Sequence, residues 1–209
     1  YRNVNYIGDM AFYKCTSFRG DLILPNSLSS INESSFFECS GFSSSLIIPN
    51  NVTYIGEFSF CGCTGFNGTI HLPENIKYIE SYSFGKCSKL TGDLVFPNSV
   101  IEIGECSFYE CSSLSGNIIL PNSLREIGKK AFYKCSKLIG KLYLHDSIRH
   151  IGSHAFYECS RLDGNLKLSN SIETIEANTF YRCSNLYGQI LIPKSIQQIS
   201  ENAFYGCNK

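Results

Sequence analysis

Apolar residues recur along this chain with a period of 24. Isoleucine stands at position 7 and at every equivalent position to 199. Phenylalanine does the same from 12 to 204, and cysteine from 15 to 207, with no insertion or deletion. Within a period, two apolar residues flank one variable position: Leu22/Leu24, Leu46/Ile48, Ile70/Leu72, Leu94/Phe96, Ile118/Leu120, Leu142/Leu144, Leu166/Leu168 and Ile190/Ile192. Alternation with period two is the signature of a strand with one buried face. An array this strict is read as a solenoid in which each unit is one coil stacked on its copies. One short strand per coil, always in the same direction, predicts a parallel sheet with ~4.8 Å between coils.

The polar positions mark where each coil turns. Gly20, Gly68, Gly92, Gly116, Gly140, Gly164 and Gly188 precede the strand, with Ser44 as the exception. Pro25, Pro49, Pro73, Pro97, Pro121 and Pro193 follow it and account for every proline. Proline has no N–H for a ladder and so closes the pairing. A second short extended piece is expected to bring Leu28 or Ile148, and Ile31 or Ile151, inward. The stretch Ser153 to Cys159 is too short for a stable independent helix. It is expected to form one helical or 3₁₀ turn that inserts Phe156 and Cys159 into the core.

Eleven cysteines would ordinarily raise a disulfide or metal question. Nine of them sit on the repeat grid and read as a ladder of free buried thiols, because cysteine packs as a small hydrophobe. Equivalent side chains one coil apart are too far apart, and too nearly parallel, to bridge. Cys61 and Cys106 lie off the grid and are expected to be the accessible ones. Cys61-Gly-Cys63 is too close a spacing for a zinc knuckle, and His150 and His154 lack the surrounding metalloprotease motif. No metal and no cofactor is expected.

The strings Phe-x-x-Cys-x-x-Leu, Leu-x-Leu and Ile-x-x-Ile-x-x-x-x-Phe resemble the leucine-rich repeat, with cysteine where that family usually has leucine. The segment Leu120-Pro121-Asn122-Ser123-Leu124, continuing through Ile127-Gly128 to Ala131-Phe132 and Cys135, looks like the BspA-like subfamily, in its protist or trichomonad-type form. The resemblance covers the whole chain. It implies a leucine-rich-repeat superhelix, one array over 1–209 of about nine coils, expected to be a piece of a longer repeat region without caps. It further implies a surface or secreted protein with an adhesive role towards host cells, matrix proteins or other microbes. It carries no catalytic motif.

Leucine-rich repeats usually bind through the concave sheet. The exposed member of each strand would be Ile23, Ile47, His71, Val95, Ile119, Tyr143, Lys167 and Leu191, and these are the candidate binding residues. Several are apolar, which suits either a partner or simple shielding of the sheet. The neighbouring row, from Asp21 and Ser45 to Asn165 and Gln189, is polar and fits a rim. A tyrosine row follows the core phenylalanines at Tyr13, Tyr109, Tyr133, Tyr157, Tyr181 and Tyr205. It is interrupted at Phe37, Cys61 and Gly85, and it reads as stacking between coils. Another register alternates in sign, Lys86, Glu110, Lys134, Glu158 and Arg182, so stacked neighbours attract. A basic cluster at Arg125, Lys129, Lys130, Arg149 and His150 reads as solvated surface. The sequons at Asn32, Asn51 and Asn67 are no more than chance supplies.

Charge then narrows the function. There are 18 basic and 18 acidic residues, so the net charge is zero. That argues against nucleic acid as a partner, which calls for a surplus of Lys and Arg. No apolar run is long enough to span a membrane. No nucleophile elbow, phosphate loop or dinucleotide fingerprint is present, and no long loop offers a pocket. The expected function is therefore non-catalytic binding to a host-cell surface or extracellular-matrix protein, with glycan as another partner class. Self-association through open solenoid ends or edges is also expected. A structural spacer that displays another domain, or an intracellular interaction scaffold, are the alternatives.

Overall fold

The computed structural model describes residues 3–208. It is a parallel β-solenoid, and no helix of any kind occurs among the described residues. Two ladders of very short strands run along it. The first is built from the Leu-x-Leu pairs, for example Leu46–Ile47 beside Ile70–His71 and Leu94–Val95 beside Ile118–Ile119. The second contains the grid isoleucines, from Tyr6–Ile7 to Gln198–Ile199. Every pair in it is parallel and offset by one period, as in Ile103 beside Ile127 and Ile127 beside Ile151. The second extended piece is thus a ladder in its own right. The reason is visible in the strands themselves: from Ile7 to Ile175 each buries its isoleucine and turns the residue before it outward, and only in the last, Gln198–Ile199, is the isoleucine exposed.

The turns follow their residues. The proline carbonyl accepts a hydrogen bond from the amide three residues on, as in Leu124 N to Pro121 O at 3.0 Å. His145 takes the proline position in its coil and makes the same turn to Ile148. Between the ladders the core is filled by rows of identical side chains. The phenylalanine rings from Phe12 to Phe204 stack nearly parallel, with centroids between 5.0 Å and 5.8 Å apart. Offset parallel stacking adds to what burial of each ring contributes.

The segment read as a helical or 3₁₀ turn is something else. It is a run of linked β-turns whose amides point alternately along the coil and across to the next one. In one coil, Ser107 N, Tyr109 N and Cys111 N bond to the carbonyls of Gly104, Cys106 and Phe108. The intervening Cys106, Phe108 and Glu110 amides donate to Lys129, Ala131 and Tyr133 of the next coil, at 2.8–2.9 Å. All the amides are satisfied without a helix. The geometry requires left-handed backbone at two positions per coil, here Cys106 at φ 54 and Glu110 at φ 56. Bulky residues accept it too, including Phe58 and Tyr82. Inter-coil bonding outweighs the ~1–2 kcal/mol that L-residues usually lose in that region.

Candidate functional site

Of the residues expected to bind, those from Ile47 to Leu191 lie on one exposed row of the first ladder, while Ile23 is exposed in the first coil outside any strand. Ile23 is 87% exposed, Leu191 76%, and Ile47, Val95, Ile119 and Tyr143 fall between 49% and 58%. His71 and Lys167 are also exposed. No second layer covers this row among the described residues. Strand alternation is what puts them there: in Leu46–Ile47 and Ile118–Ile119 the first residue is buried and the second faces out. At one end of the row the Lys167 ammonium lies 5.0 Å from the Tyr143 ring centre and 3.4 Å from its hydroxyl.

The polar row beside it is bonded to itself. Ser45 and Thr69 hydroxyls are 3.2 Å apart, and Thr69 lies 2.9 Å from Nε2 of His71. Asp93 accepts from both the backbone and the side-chain amide of Asn117. The apolar row is therefore edged by side chains already held in place, which lowers the ordering cost of any partner docking there. The sequence did not show this bonding, because it depends on which coils follow one another.

The cysteine ladder has a second role that sequence reading missed. Each grid thiol beyond the first coil donates to the carbonyl of the core phenylalanine one coil earlier, for example Cys135 to Phe108 O and Cys159 to Phe132 O, both 3.1 Å. Burial keeps these thiols protonated: Cys135 is pushed up to about 12 and Cys39 to about 11, from an ordinary 9.0. All eleven cysteines are free. The expectation that Cys61 and Cys106 are accessible is corrected: both are buried, and the partly exposed thiols are Cys15 and Cys207. The cause is an exchange of aromatic positions. Where Cys61 and Gly85 interrupt the tyrosine row, Phe58 and Tyr82 stack at 4.7 Å from a neighbouring position and fill the gap. The row resumes at Tyr109 and continues to Tyr205 with centroids 4.6–5.0 Å apart.

The basic cluster is partly neutralised. Lys129 sits 3.9 Å from Glu105, and Lys130 leans on the Tyr133 ring. Burial, with Lys130 and Lys129 nearby, holds the His154 imidazole below its ordinary value. On the second ladder, burial and then Glu57 and Glu102 raise the Glu80 carboxyl. Among the described residues no group of three or more His, Cys, Asp or Glu is placed to hold a metal ion.

The model of the BspA-type leucine-rich repeat region matches residues 1–92 and 89–209, in six copies. The chain belongs to the BspA-type leucine-rich repeat family. Among solved structures, this BspA-type chain is similar to the leucine-rich repeat protein of T. pallidum, with 27% identity and a TM-score of 0.69 over 78% of this chain and 76% of that one. It is also similar to a leucine-rich cell surface protein from Faecalibacterium prausnitzii, at 27% identity and TM-score 0.59, covering 98% of this chain and 61% of that one. A leucine-rich repeat protein from Bacteroides ovatus shares 25% identity at TM-score 0.57 over 98% of this chain and 68% of its own. The BspA-type chain thus spans less than two thirds of the Faecalibacterium protein. No curated protein matches its sequence. The family assignment makes it a protein-binding type of repeat module.

Proposed function

We propose that this chain is a non-catalytic binding module, on the cell surface or secreted, that engages host-cell or extracellular-matrix proteins through the exposed row of its first ladder. The observation that carries this is the row of exposed strand residues Ile47, Val95, Ile119 and Tyr143, uncovered by any second layer among the described residues. Apolar side chains repeated along a line, beside a polar row that is already hydrogen-bonded, have the make-up of an interface core with its rim. The cell-surface description of the Faecalibacterium relative supports the location. The whole chain acts as one array, since each coil bonds only to its neighbours along a continuous core.

The test is a binding panel of extracellular-matrix proteins and intact epithelial cells, read by surface plasmon resonance and cell adhesion. The wild-type array binds at least one of them. A combined Ile47→Asp, Ile119→Asp and Tyr143→Asp variant, with an unchanged thermal midpoint, loses that binding by at least about a hundred-fold, as expected when several central contacts go. A wild-type array that binds nothing on the panel points instead to a spacer. Binding that survives the triple change removes this face from consideration.

A further inference from the structure

The first ladder is interrupted part-way along, and a cleft opens at the interruption. Leu46 and Ile48 donate to the carbonyls of Thr69 and His71 in the next coil, at 2.9 Å and 3.1 Å. Leu94 and Phe96 donate likewise to Asn117 and Ile119, at 2.8 Å and 3.2 Å. Between these two bonded pairs of coils, Ile70 and Leu72 make no such bond among the described residues, and Ile70–His71 does not pair with Leu94–Val95. On the exposed face, this junction holds a cleft of about 360 Å³. His71 and Val95, both exposed, stand on its two sides.

The cleft has apolar walls and acidic ends. Ile70, Leu72, Val95 and Pro97 line it along its length. Asp93 precedes the strand of one coil and Glu74 follows the strand of the other, so a carboxylate stands at each end. No lysine or arginine lines the cleft, and neither carboxylate enters an ion pair among the described residues. Oδ1 of Asp93 accepts from the Asn117 backbone amide at 2.7 Å and from its side-chain amide at 3.3 Å. These bonds hold the carboxylate in place and leave Oδ2 facing outward for a further donor. Glu74 is itself a departure from the repeat, since the same turn position is Asn26, Asn50, Asn98, Asn122 and Asn170 in other coils. Charge that the repeat does not require is thus set at the one end where Asp93 does not reach.

We propose, on the reading that the first ladder binds a protein, that this cleft seats an extended segment of that partner with arginine at both ends of a short apolar stretch. The apolar residues lie on the walls, and the two guanidinium groups meet Asp93 and Glu74 in charge-assisted pairs. Asp93 is one period from Thr69, and Glu74 lies five residues beyond Thr69. An extended segment with arginines four residues apart spans about 13 Å and turns both to the same side. Arginines three apart face opposite ways and cannot reach both ends. A metal ion fits poorly, because the carboxylates stand at opposite ends and no group of three or more His, Cys, Asp or Glu gathers among the described residues. An acidic polymer would meet like charge at both ends.

Two fluorescent peptides of one composition test this by anisotropy with the whole chain: Arg-Ala-Val-Ala-Arg, with arginines four apart, and Arg-Ala-Val-Arg-Ala, with arginines three apart. The first binds at least about five-fold more tightly than the second, and its binding weakens as salt screens the exposed charges. A Glu74→Gln, Asp93→Asn variant keeps its thermal midpoint, binds the first peptide at least about ten-fold more weakly and loses the preference. An Asn26→Glu variant gains a second site, because the cleft between the first two coils already has Asp21 and lacks only an acid at the turn. A gain of that kind does not come from misfolding. Equal binding of the two peptides, an unaffected amide variant, a single site in the Asn26→Glu chain, or displacement by spermidine or a neutral oligosaccharide at lower concentration than the peptide would each overturn the proposal. A chain that binds a matrix protein but neither peptide overturns the cleft assignment alone. A chain that binds the first peptide but nothing on the panel keeps the cleft and overturns the host-protein reading.

Discussion

The Cys111 thiol donates to the backbone carbonyl of Phe84 in the preceding coil, 3.1 Å away. That carbonyl already accepts from the Cys87 amide at 3.2 Å. It lies inside the solenoid, so its second lone pair has no water to turn to. Leucine is bulkier than cysteine and brings no donor. Replacing Cys111 by alanine is expected to lower stability by about 1–2 kcal/mol, from a small void and the lost bond. Cys111→Leu is expected not to recover it, because the extra bulk enters a filled row. Urea unfolding midpoints of the two variants against wild type decide this.

Thiol chemistry separates buried from terminal coils. Under native conditions a maleimide reagent is expected to modify Cys15 and Cys207 first, and the fully buried Cys87, Cys111 and Cys135 only on unfolding. Mass spectrometry of peptides after a timed pulse reads the order. Early labelling of Cys61 or Cys106 would contradict their burial beneath the exchanged aromatic row.

Alkali is expected to weaken the array. The native thiols have raised values, about 11 for Cys39 and about 12 for Cys135, against 9.0 for the ordinary group. A native state that holds its protons more tightly than the unfolded chain is fully favoured below pH 9. It loses that advantage as pH rises towards the native values. Thermal midpoints should therefore fall between pH 9 and 11, and fall less in a Cys111→Ala, Cys135→Ala variant than in wild type.

Three adjacent coils bury a serine hydroxyl with no partner, at Ser59, Ser83 and Ser107. The equivalent residues Ala131 and Ala155 show that a methyl fits the position. Ser83→Ala is expected to leave stability unchanged or raise it by up to about 1 kcal/mol, since an unmet hydroxyl is removed without opening a void. Calorimetry of the single and triple alanine variants measures it.

Glycine matters at Gly65 for a reason of space. A Cβ there would run into the carbonyl oxygens of Phe42 and Ser40 in the preceding coil. Gly65→Ser should destabilise by about 2 kcal/mol or more, as backbone clashes do. Ser113→Gly, at the equivalent place in a later coil, should cost far less. The pair of thermal midpoints tests the contrast.

Much of the fold could be read from residue types. Leu142-x-Leu144, Ile151 and Phe156 each fill the inward role that their spacing implies, because a period without insertions leaves little freedom in how coils stack. The linked turns were less legible. Left-handed backbone is written in sequences as glycine or asparagine, yet here Phe58, Tyr82 and Lys134 adopt it under the pull of inter-coil bonds. Cys111 read as a hydrophobe, and its donor role appears only once Phe84 is placed beside it. Cys61 looked exposed because it breaks the grid, but Phe58 and Tyr82 had moved to compensate. On the candidate surface, alternation located Ile47 and Ile119 correctly, whereas the bonding of Ser45 to Thr69 depends on neighbours a full period away.

The hydrogen bonds between coils run along the long axis and are the main ties from one coil to the next. Under a mechanical pull on its two ends, such a molecule is a set of similar links loaded in series. The weakest link gives way first, and its failure releases one length of 24 residues as slack while the other coils stay intact. Force on a tethered array would then be shed in repeated small steps, and coils that let go could rejoin the stack when the load drops.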